Sequence, residues 1–201
     1  MKTCYIIGAA PITELKIKKG SDDLIIAADG GYLSVDYFGI TPDLIIGDFD
    51  SSEAPDKSNI IKLNPIKDET DTLAAVEHAI EKGYKSFVLY GCLGGRISHT
   101  LANIALIANL AQRGIQAVIE DGNTNISAVC RDKYTFTEKD RGFISVFSHT
   151  DKSILSEVGL KYEINNFKLT NSMSIGVSNE FIGKSGYIDV TDGTVIIVKE
   201  K

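Results

Sequence analysis

Short apolar runs alternate with segments of helical spacing over the first part of the chain. The runs are rich in isoleucine, valine and leucine and contain few polar positions, which is typical of strands that are covered on both faces of a sheet. They lie at residues 4–7, 24–28, 44–46, 60–63, 87–90 and 117–119. Because strands and helices alternate, the pattern predicts a mostly parallel sheet with crossover helices, that is, an α/β domain over residues 1–122.

Two helices are predicted between the later runs. In residues 72–82 the apolar side chains recur at helical spacing, and Gly83 ends the pattern. In residues 99–112 the apolar positions cover more than one face, and Gly114 follows. This second pattern predicts a helix that is buried on more than one side.

The pattern changes after the turn-forming segment 121–125, because no helical period follows it. Asp192-Gly193 fits a tight hairpin between the last two of several short strands. These strands are predicted at residues 126–129, 134–136, 143–147, 162–164, 187–190 and 195–198. The second part, residues 123–201, is therefore predicted to be a small all-β domain, a sandwich or a barrel.

Composition and charge exclude several classes of protein. The 201 residues are 43% hydrophobic and 24% charged, which is ordinary for a soluble globular chain. A net charge of −6 argues against a general surface for nucleic acid or anionic membrane. No apolar stretch approaches the roughly 20 residues of a membrane span. The three cysteines are widely separated and lack Cys-x-x-Cys spacing, so we expect reduced thiols and a cytoplasmic protein. From the net charge and the absence of a long apolar stretch, we expect no nucleic-acid or membrane partners.

Four acidic or glycine-rich segments each follow an apolar run. In open parallel sheets, ligands bind beyond the carboxyl ends of the strands. Carboxylates at that edge are well placed to hold Mg²⁺ against phosphates. The segments are residues 29–31, 47–51, 68–71 and 94–99. Together they predict a metal-dependent enzyme that handles a nucleotide.

Asp48 and Asp50 are two residues apart in a turn after the third run. Two carboxylates this close repel each other unless a cation or a proton intervenes. Mg²⁺ takes one or two carboxylates and leaves its other positions to water and phosphate oxygens. The alternative is a solvated turn, since Asp, Gly and Ser are turn residues. Asp71 is a candidate third carboxylate, whereas Thr70 or Asp68 before it could simply cap a helix.

Asp29-Gly30-Gly31 follows the second run, where glycine allows the backbone to approach a phosphate closely. The alternative is that Asp29 caps a helix and the two glycines ease a tight turn.

Gly94-Gly95-Arg96 precedes the long predicted helix. Backbone N–H groups and a guanidinium would together bind phosphate oxygens, although a glycine turn with a surface arginine fits equally well. His99 could hydrogen-bond a phosphate or a base, or it could be a structural histidine.

The order of these segments resembles that of bacterial-type thiamine pyrophosphokinases. The resemblance runs from about residue 4 to the C-terminus, and its most specific piece is Pro-Asp-Leu-Ile-Ile-Gly-Asp-Phe-Asp-Ser at residues 42–51. The other matching segments are residues 28–31, 67–72, 94–103 and 176–181. The chain departs from the family at Ser98, where the family usually has Asp within Gly-Gly-Arg-x-Asp-His, so no role is carried over to this position.

The resemblance implies an α/β nucleotide domain followed by a β-sandwich, a homodimer, and transfer of the pyrophosphoryl group of ATP to the hydroxyl of thiamine with release of AMP. It implies that Asp48, Asp50 and Asp71 hold Mg²⁺ on the triphosphate, and that Asp71 and Arg96 are catalytic. The implied nucleotide and phosphate site comprises Asp29, Gly30, Gly31, Thr70, Gly94, Gly95 and His99. Ser178 and Asn179 would bind thiamine, although the residues alone favour a polar turn between strands.

Two other functions remain compatible with the sequence. A pyrophosphokinase for another alcohol, such as a hydroxymethylpterin, would use the same metal and ATP residues with a different acceptor pocket. A non-catalytic regulator that binds nucleotide or thiamine is favoured by Ser98. Retention of all the candidate metal carboxylates argues against the regulator.

Overall fold

The structure is a computed structural model that describes residues 2–49, 59–64 and 69–201. Its contacts divide the chain into two compact units. The first comprises Met1–Asn103 with Ile119–Gly122, and the second comprises Ile104–Val118 with Asn123–Lys201. The sequence-based division into domains 1–122 and 123–201 stays a prediction.

The first unit is an α/β structure with a parallel sheet at its centre. Its strands run in the order β5-β1-β2-β3-β4, and every pairing among them is parallel. The elements are β1 (Cys4–Ile7), β2 (Leu24–Ala28), α1 (Gly31–Tyr37), β3 (Leu44–Gly47), β4 (Ile60–Lys62), α2 (Asp71–Glu81) and β5 (Ser86–Tyr90). Helix α3 (Ile97–Gln112) and strand β6 (Gln116–Asp121) have residues in both units.

The apolar runs form these strands because their side chains are buried. Ile7, Ile25 and Ile45 from three neighbouring strands belong to one buried cluster, together with Val35 of α1. A central strand that is covered on both faces has no polar face to present, so its sequence does not alternate. The predicted arrangement of parallel strands and helices is confirmed.

Capping residues explain where helix α2 begins and ends. Thr70 is the N-cap of α2, and its Oγ1 accepts a hydrogen bond from the Leu73 N–H at 3.2 Å. Gly83 follows α2 with a left-handed φ of 80°, which suits a residue without Cβ. Helix α3 begins two residues earlier than predicted, at Ile97. Among the helices in the described part of the chain, none is long and apolar enough to cross a membrane.

Apart from its share of α3 and β6, the second unit is built from antiparallel strands. One set is ordered β12-β9-β14-β7 and the other β11-β10-β13-β8, with every assigned pairing antiparallel. The strands are β7 (Thr124–Cys130), β8 (Lys133–Phe136), β9 (Phe143–Ser148), β10 (Lys152–Val158), β11 (Ile164–Thr170), β12 (Asn179–Glu180), β13 (Gly186–Asp192) and β14 (Thr194–Glu200). Both sets contribute side chains to one hydrophobic cluster, so the predicted all-β character is confirmed.

One predicted strand is misplaced, and strands β10 and β12 were not predicted. Of the strand predicted at residues 162–164, only Ile164 lies in a strand, because β11 begins there and continues to Thr170. Strand β10 was missed because its buried face carries Ser153 and Glu157 beside Leu155. Two polar residues on the inward face hide the alternation of apolar and polar positions that identifies a strand.

The predicted hairpin at Asp192-Gly193 is also wrong. Strand β13 pairs with β8 and β10, whereas β14 pairs with β7 and β9, so the chain leaves one set of strands and enters the other at this turn. Gly193 has a φ of 82°, and a Cβ there would lie 2.5 Å from the Lys152 carbonyl oxygen. The Asp-Gly pair therefore marks a sharp turn without specifying which strands pair across it.

Candidate active site

A cavity of about 490 Å³ lies in the first unit. Its lining comes from segments that follow β1, β2, β3 and β5 and from the first turns of α2 and α3. Ligands of parallel sheets bind at this edge. The cavity is therefore the candidate active site.

Three aspartates meet in this cavity. Asp29, Asp48 and Asp71 each offer a carboxylate oxygen, and these oxygens all lie within 4.8 Å of one another. All three residues are partly buried. Oxygen ligands at such spacing are what a hard divalent cation such as Mg²⁺ prefers.

Gly47 allows the first two aspartates to approach each other. The Asp29 N–H donates a hydrogen bond to the Ile46 carbonyl oxygen at 2.8 Å, which ties the end of β2 to the end of β3. A Cβ at Gly47 would lie 3.0 Å from the Asp29 Cα and 3.3 Å from its backbone nitrogen. Contacts this short would push the two loops apart, so glycine is the residue that fits.

Phe49 anchors the loop that carries Asp48. Its side chain is only 7% exposed and packs in the cluster that contains Ile7 and Val35. Its backbone is left-handed, with a φ of 54°, which is uncommon for a bulky residue. Burial of the ring offsets this strain, and the turn directs the adjacent Asp48 to the cavity.

Asp71 is held at the beginning of α2. It is the first residue of the helix, directly after the Thr70 cap. A carboxylate in the first turn is stabilised by the helix dipole. The helix thus fixes the third carboxylate of the cluster, and the sequence-based interpretation of Thr70 as a cap is confirmed.

The glycine loop before α3 forms another wall. Gly94 and Gly95 have left-handed φ values of 75° and 59°. The Thr100 hydroxyl donates to the Gly94 carbonyl oxygen at 3.2 Å, and the Asn103 amide donates to the Cys92 carbonyl oxygen at 2.9 Å. Both bonds tie the loop to α3, while Arg96 and His99 remain exposed at the cavity.

Cys92 lines the cavity as a buried thiol. Burial raises its pKa to about 12, although a backbone hydrogen bond involving Gly8 acts in the opposite direction. A thiol with such a pKa is not ionised near neutral pH and is a poor nucleophile. We therefore assign Cys92 a structural role.

Most of the predicted nucleotide-site residues lie around this one cavity. Gly30 and Gly31 do not line it: Gly30 is the N-cap of α1 and Gly31 is its first residue, so Asp29 is not the cap. Asp50 lies outside the described residues. Those that line the cavity are Asp29, Asp48, Thr70, Asp71, Gly94, Gly95, Arg96 and His99.

Other parts of the wall were not predicted from the sequence. Residues 9–11 line the cavity directly after β1, and Thr72 and Asn103 line it from the two helices. The rule that ligands bind at carboxyl ends of strands could have identified residues 9–11. Ser98, in contrast, is exposed and is not among the described residues that line the cavity.

Ser178 and Asn179 lie in the second unit. Ser178 has a left-handed φ of 58°, and its N–H donates to the Ser145 hydroxyl at 3.0 Å. Asn179 begins the short strand β12, which pairs with β9. Their predicted contact with thiamine stays a prediction.

The Asn179 amide makes four hydrogen bonds. Its Nδ2 donates to Glu157 Oε2 at 2.8 Å and to the Tyr162 carbonyl oxygen at 2.7 Å. Its Oδ1 accepts from the N–H groups of Tyr162 at 3.0 Å and Glu180 at 2.9 Å. These bonds use both amide hydrogens and both lone pairs of the oxygen.

A cleft with clustered carboxylates, a glycine loop and an arginine at the carboxyl ends of parallel strands is typical of metal-assisted enzymes that act on phosphates. Comparison with known proteins gives the particular family. Residues 17–119 match the family described as Thiamin pyrophosphokinase, catalytic domain, and residues 133–195 match Thiamin pyrophosphokinase, vitamin B1 binding domain. The chain belongs to the thiamine pyrophosphokinase family.

Full-length relatives support this assignment. The thiamine pyrophosphokinase of Bacillus subtilis (strain 168) is 30% identical over 212 residues, which cover 99% of each chain. A crystal structure of thiamine pyrophosphokinase from Bacillus subtilis superposes with a TM-score of 0.88 at 26% identity and covers 99% of both chains. That of Geobacillus thermodenitrificans has a TM-score of 0.87 at 23% identity, covers 99% of this chain and 97% of its own, and shows the same fold.

Proposed function

We propose that this protein transfers the pyrophosphoryl group of ATP to the hydroxyl of thiamine, giving thiamine diphosphate and AMP. The hydroxyl oxygen forms a bond to the β-phosphorus, the bond between that phosphorus and the bridging oxygen to the α-phosphate breaks, and AMP leaves with that oxygen. The hydroxyl proton is released. Membership of the family carries this proposal, and the meeting of Asp29, Asp48 and Asp71 in one cavity supports it.

The residues present fit a magnesium ion. Mg²⁺ holds oxygen ligands at about 2.0–2.1 Å, so two ligands of one ion lie about 3–4 Å apart. Carboxylate oxygens within 4.8 Å of one another need only small side-chain movements to reach that spacing. We assign Asp29, Asp48 and Asp71 as ligands and retain Asp50 as a proposed ligand. A bound Mg²⁺ supplies positive charge that offsets the negative charge of the triphosphate.

The protein residues bind and orient the phosphates. We assign Arg96 to the oxygens of the transferred group, since a guanidinium binds phosphate in a bidentate fashion. The backbone of Gly94 and Gly95 and the His99 side chain complete the phosphate wall. Asp71 assists removal of the hydroxyl proton. Positioning and electrostatic stabilisation supply most of the catalysis of such a transfer, which needs little covalent help from the protein.

The test is to incubate the protein with ATP, Mg²⁺ and thiamine and to measure AMP and thiamine diphosphate together. We expect equal amounts of both. Formation of ADP with thiamine monophosphate would contradict transfer of a pyrophosphoryl group. A hydroxymethylpterin in place of thiamine tests the alternative acceptor, and we expect no product from it.

We further propose a homodimer in which the second unit is a sandwich-like domain. Ser178 and Asn179 contribute to thiamine binding there, Asn179 by way of the groups that its amide orients. Several large apolar side chains of this unit are exposed in the single chain, which supports an interface between copies. They are Phe143, Met173 and Ile182. Light scattering tests the dimer, and a monomer with full activity at nanomolar concentration would contradict it. We propose a cytoplasmic location, with which the three free cysteines agree.

A further inference from the structure

A second cavity, of about 310 Å³, lies within the second unit. Its walls are mostly apolar and include Tyr162 and Phe167. Three of the lining residues, Tyr162, Ile175 and Val177, are exposed at 61%, 62% and 48%, so this part of the wall is open to solvent. Volumes of about 300–1,000 Å³ with apolar walls and a few polar groups are typical of small-molecule sites.

Glu157 is the ionisable carboxylate in this apolar wall. The residue is only 5% exposed, on the inward face of β10. Burial raises the pKa of Glu157, while the hydrogen bond from Asn179 acts in the opposite direction. No cationic side chain of the described residues forms an ion pair with it. A buried carboxylate is costly unless a donor or a cation compensates it, so this wall favours a ligand that supplies one.

Asn179 leaves one side of this carboxylate available. Its amide donates to Oε2 at 2.8 Å and fixes the orientation of the carboxyl group. Oε1 accepts no hydrogen bond from the residues that the structure describes. Because the Asn179 amide already makes four bonds, Asn179 holds Glu157 in place, and Glu157 is the group with capacity for a ligand.

The chemistry of this wall is complementary to one end of thiamine. The aminopyrimidine ring is flat, so it suits the aromatic walls, and its exocyclic amino group donates hydrogen bonds. The positive charge of the thiazolium is also favourable near a carboxylate. We propose that Glu157 is a specificity-determining residue whose Oε1 accepts a hydrogen bond from the amino group of the aminopyrimidine ring bound in this cavity. This inference rests on the proposed function, since that function makes thiamine the acceptor.

Glu157→Gln gives a sharp test because Asn179 dictates how the new amide lies. The glutamine oxygen must face Asn179 Nδ2 to keep the observed bond, so its NH₂ group occupies the position of Oε1. A donor then faces the amino group of thiamine. Oxythiamine, which carries an oxygen in place of that amino group, presents an acceptor to the same NH₂ group.

The experiment is calorimetric titration of the full chain with thiamine and with oxythiamine, in the absence of ATP. We expect the unaltered chain to prefer thiamine. In Glu157→Gln the affinity for thiamine should fall at least tenfold, and that for oxythiamine should be unchanged or rise. Glu200→Gln is the matched control, because it removes an exposed carboxylate of the same unit that does not line the cavity. Equal losses for both ligands would indicate a merely structural role and overturn the proposal, as would unchanged affinities.

A second variant tests the cavity without altering the carboxylate. Ile175→Trp enlarges an exposed side chain of the wall. It should lower the affinity for both ligands at least tenfold while leaving the midpoint of thermal unfolding unchanged. Unchanged binding of both ligands in this variant would overturn the proposal.

Measurements of turnover distinguish a failure of the proposed role of Glu157 from a failure of the proposed function. If the unaltered chain forms thiamine diphosphate and Glu157→Gln keeps its KM for thiamine, the specificity role fails and the function stands. If the unaltered chain forms no product, the function fails, and the calorimetric preference still decides the role of Glu157.

Discussion

Replacement of Phe49 by Ala and by Gly tests whether a buried ring holds the Asp48 loop in its strained turn. The Phe49 side chain is 7% exposed in the cluster around Ile7 and Val35. Removal of a buried phenylalanine ring costs about 3–5 kcal/mol of unfolding free energy. We expect a loss in this range for Phe49→Ala.

Which of the two variants has the higher unfolding free energy depends on the backbone conformation at position 49. Because φ at position 49 is 54°, an L-residue there costs about 1–2 kcal/mol for the left-handed conformation, whereas achiral glycine does not. Glycine avoids that strain but loses about 0.5–1 kcal/mol through its greater freedom in the unfolded chain. The middle of these ranges leaves Phe49→Gly more stable than Phe49→Ala by about 0.75 kcal/mol, which reverses the usual order of stability.

Urea unfolding followed by circular dichroism measures both quantities. Leu33→Ala is the control, because Leu33 is 60% exposed in the neighbouring helix and its replacement should change stability by about 0.5 kcal/mol or less. A loss below about 1 kcal/mol in Phe49→Ala would refute burial as the anchor. An alanine variant more stable than the glycine variant would refute the strained turn.

The remaining predictions concern the metal, position 98 and pH. Asp48→Asn or Asp71→Asn should cut Mg²⁺-dependent turnover by several orders of magnitude while circular dichroism shows an intact fold, and near-normal turnover in both would reject the metal assignment. Chelation with EDTA should abolish formation of thiamine diphosphate, and added Mg²⁺ should restore it. Ser98→Asp should change turnover or the KM for thiamine by about tenfold or less, roughly 1.4 kcal/mol, and a chain that becomes active only in this variant would favour the regulator. Because burial raises the pKa of Glu157 above its usual 4.5, the folded chain keeps this proton longer than the unfolded chain does as pH rises. Stability relative to Glu157→Gln should therefore fall from about pH 4.5 up to the folded pKa, as urea midpoints would measure.

The parallel core could be predicted from the sequence because its signal is local. Each central strand is covered on both faces, so its side chains form an uninterrupted apolar run of the kind seen at Leu24–Ala28. The position of the site follows from the same pattern, since acidic segments after neighbouring parallel strands must lie at one edge. Asp29 and Asp48 come together for this reason, and Gly47 permits the short approach.

The pairing of the β strands could not be predicted in this way, because it depends on contacts between distant residues. Asp192-Gly193 indicates a turn, but the strands on either side pair with partners elsewhere in the unit. Strand β10 was missed because Ser153 and Glu157 occupy its buried face, and only the structure identifies what compensates them. The Ser153 hydroxyl lies 2.8 Å from that of Ser148, and Glu157 accepts from Asn179. A pattern of hydrophobic positions does not predict a strand whose buried positions are polar.

Asn179 and Glu157 illustrate how hydrogen-bond capacity changes the assignment of a binding role. In the sequence, Ser178-Asn179 stands out because the family resemblance includes it, whereas no motif or resemblance draws attention to Glu157. The structure gives Asn179 four partners within its own unit, one of which is the carboxylate of Glu157. An amide with no remaining donor or lone pair can shape a site only through the groups it orients. The carboxylate that it orients is buried in an apolar wall, where a hydrogen bond to a ligand is worth more than it would be in water. If Glu157 has the role proposed above, selectivity for an amino group over an oxygen in the same position of the acceptor depends on this carboxylate, and Asn179 acts by holding its Oε2.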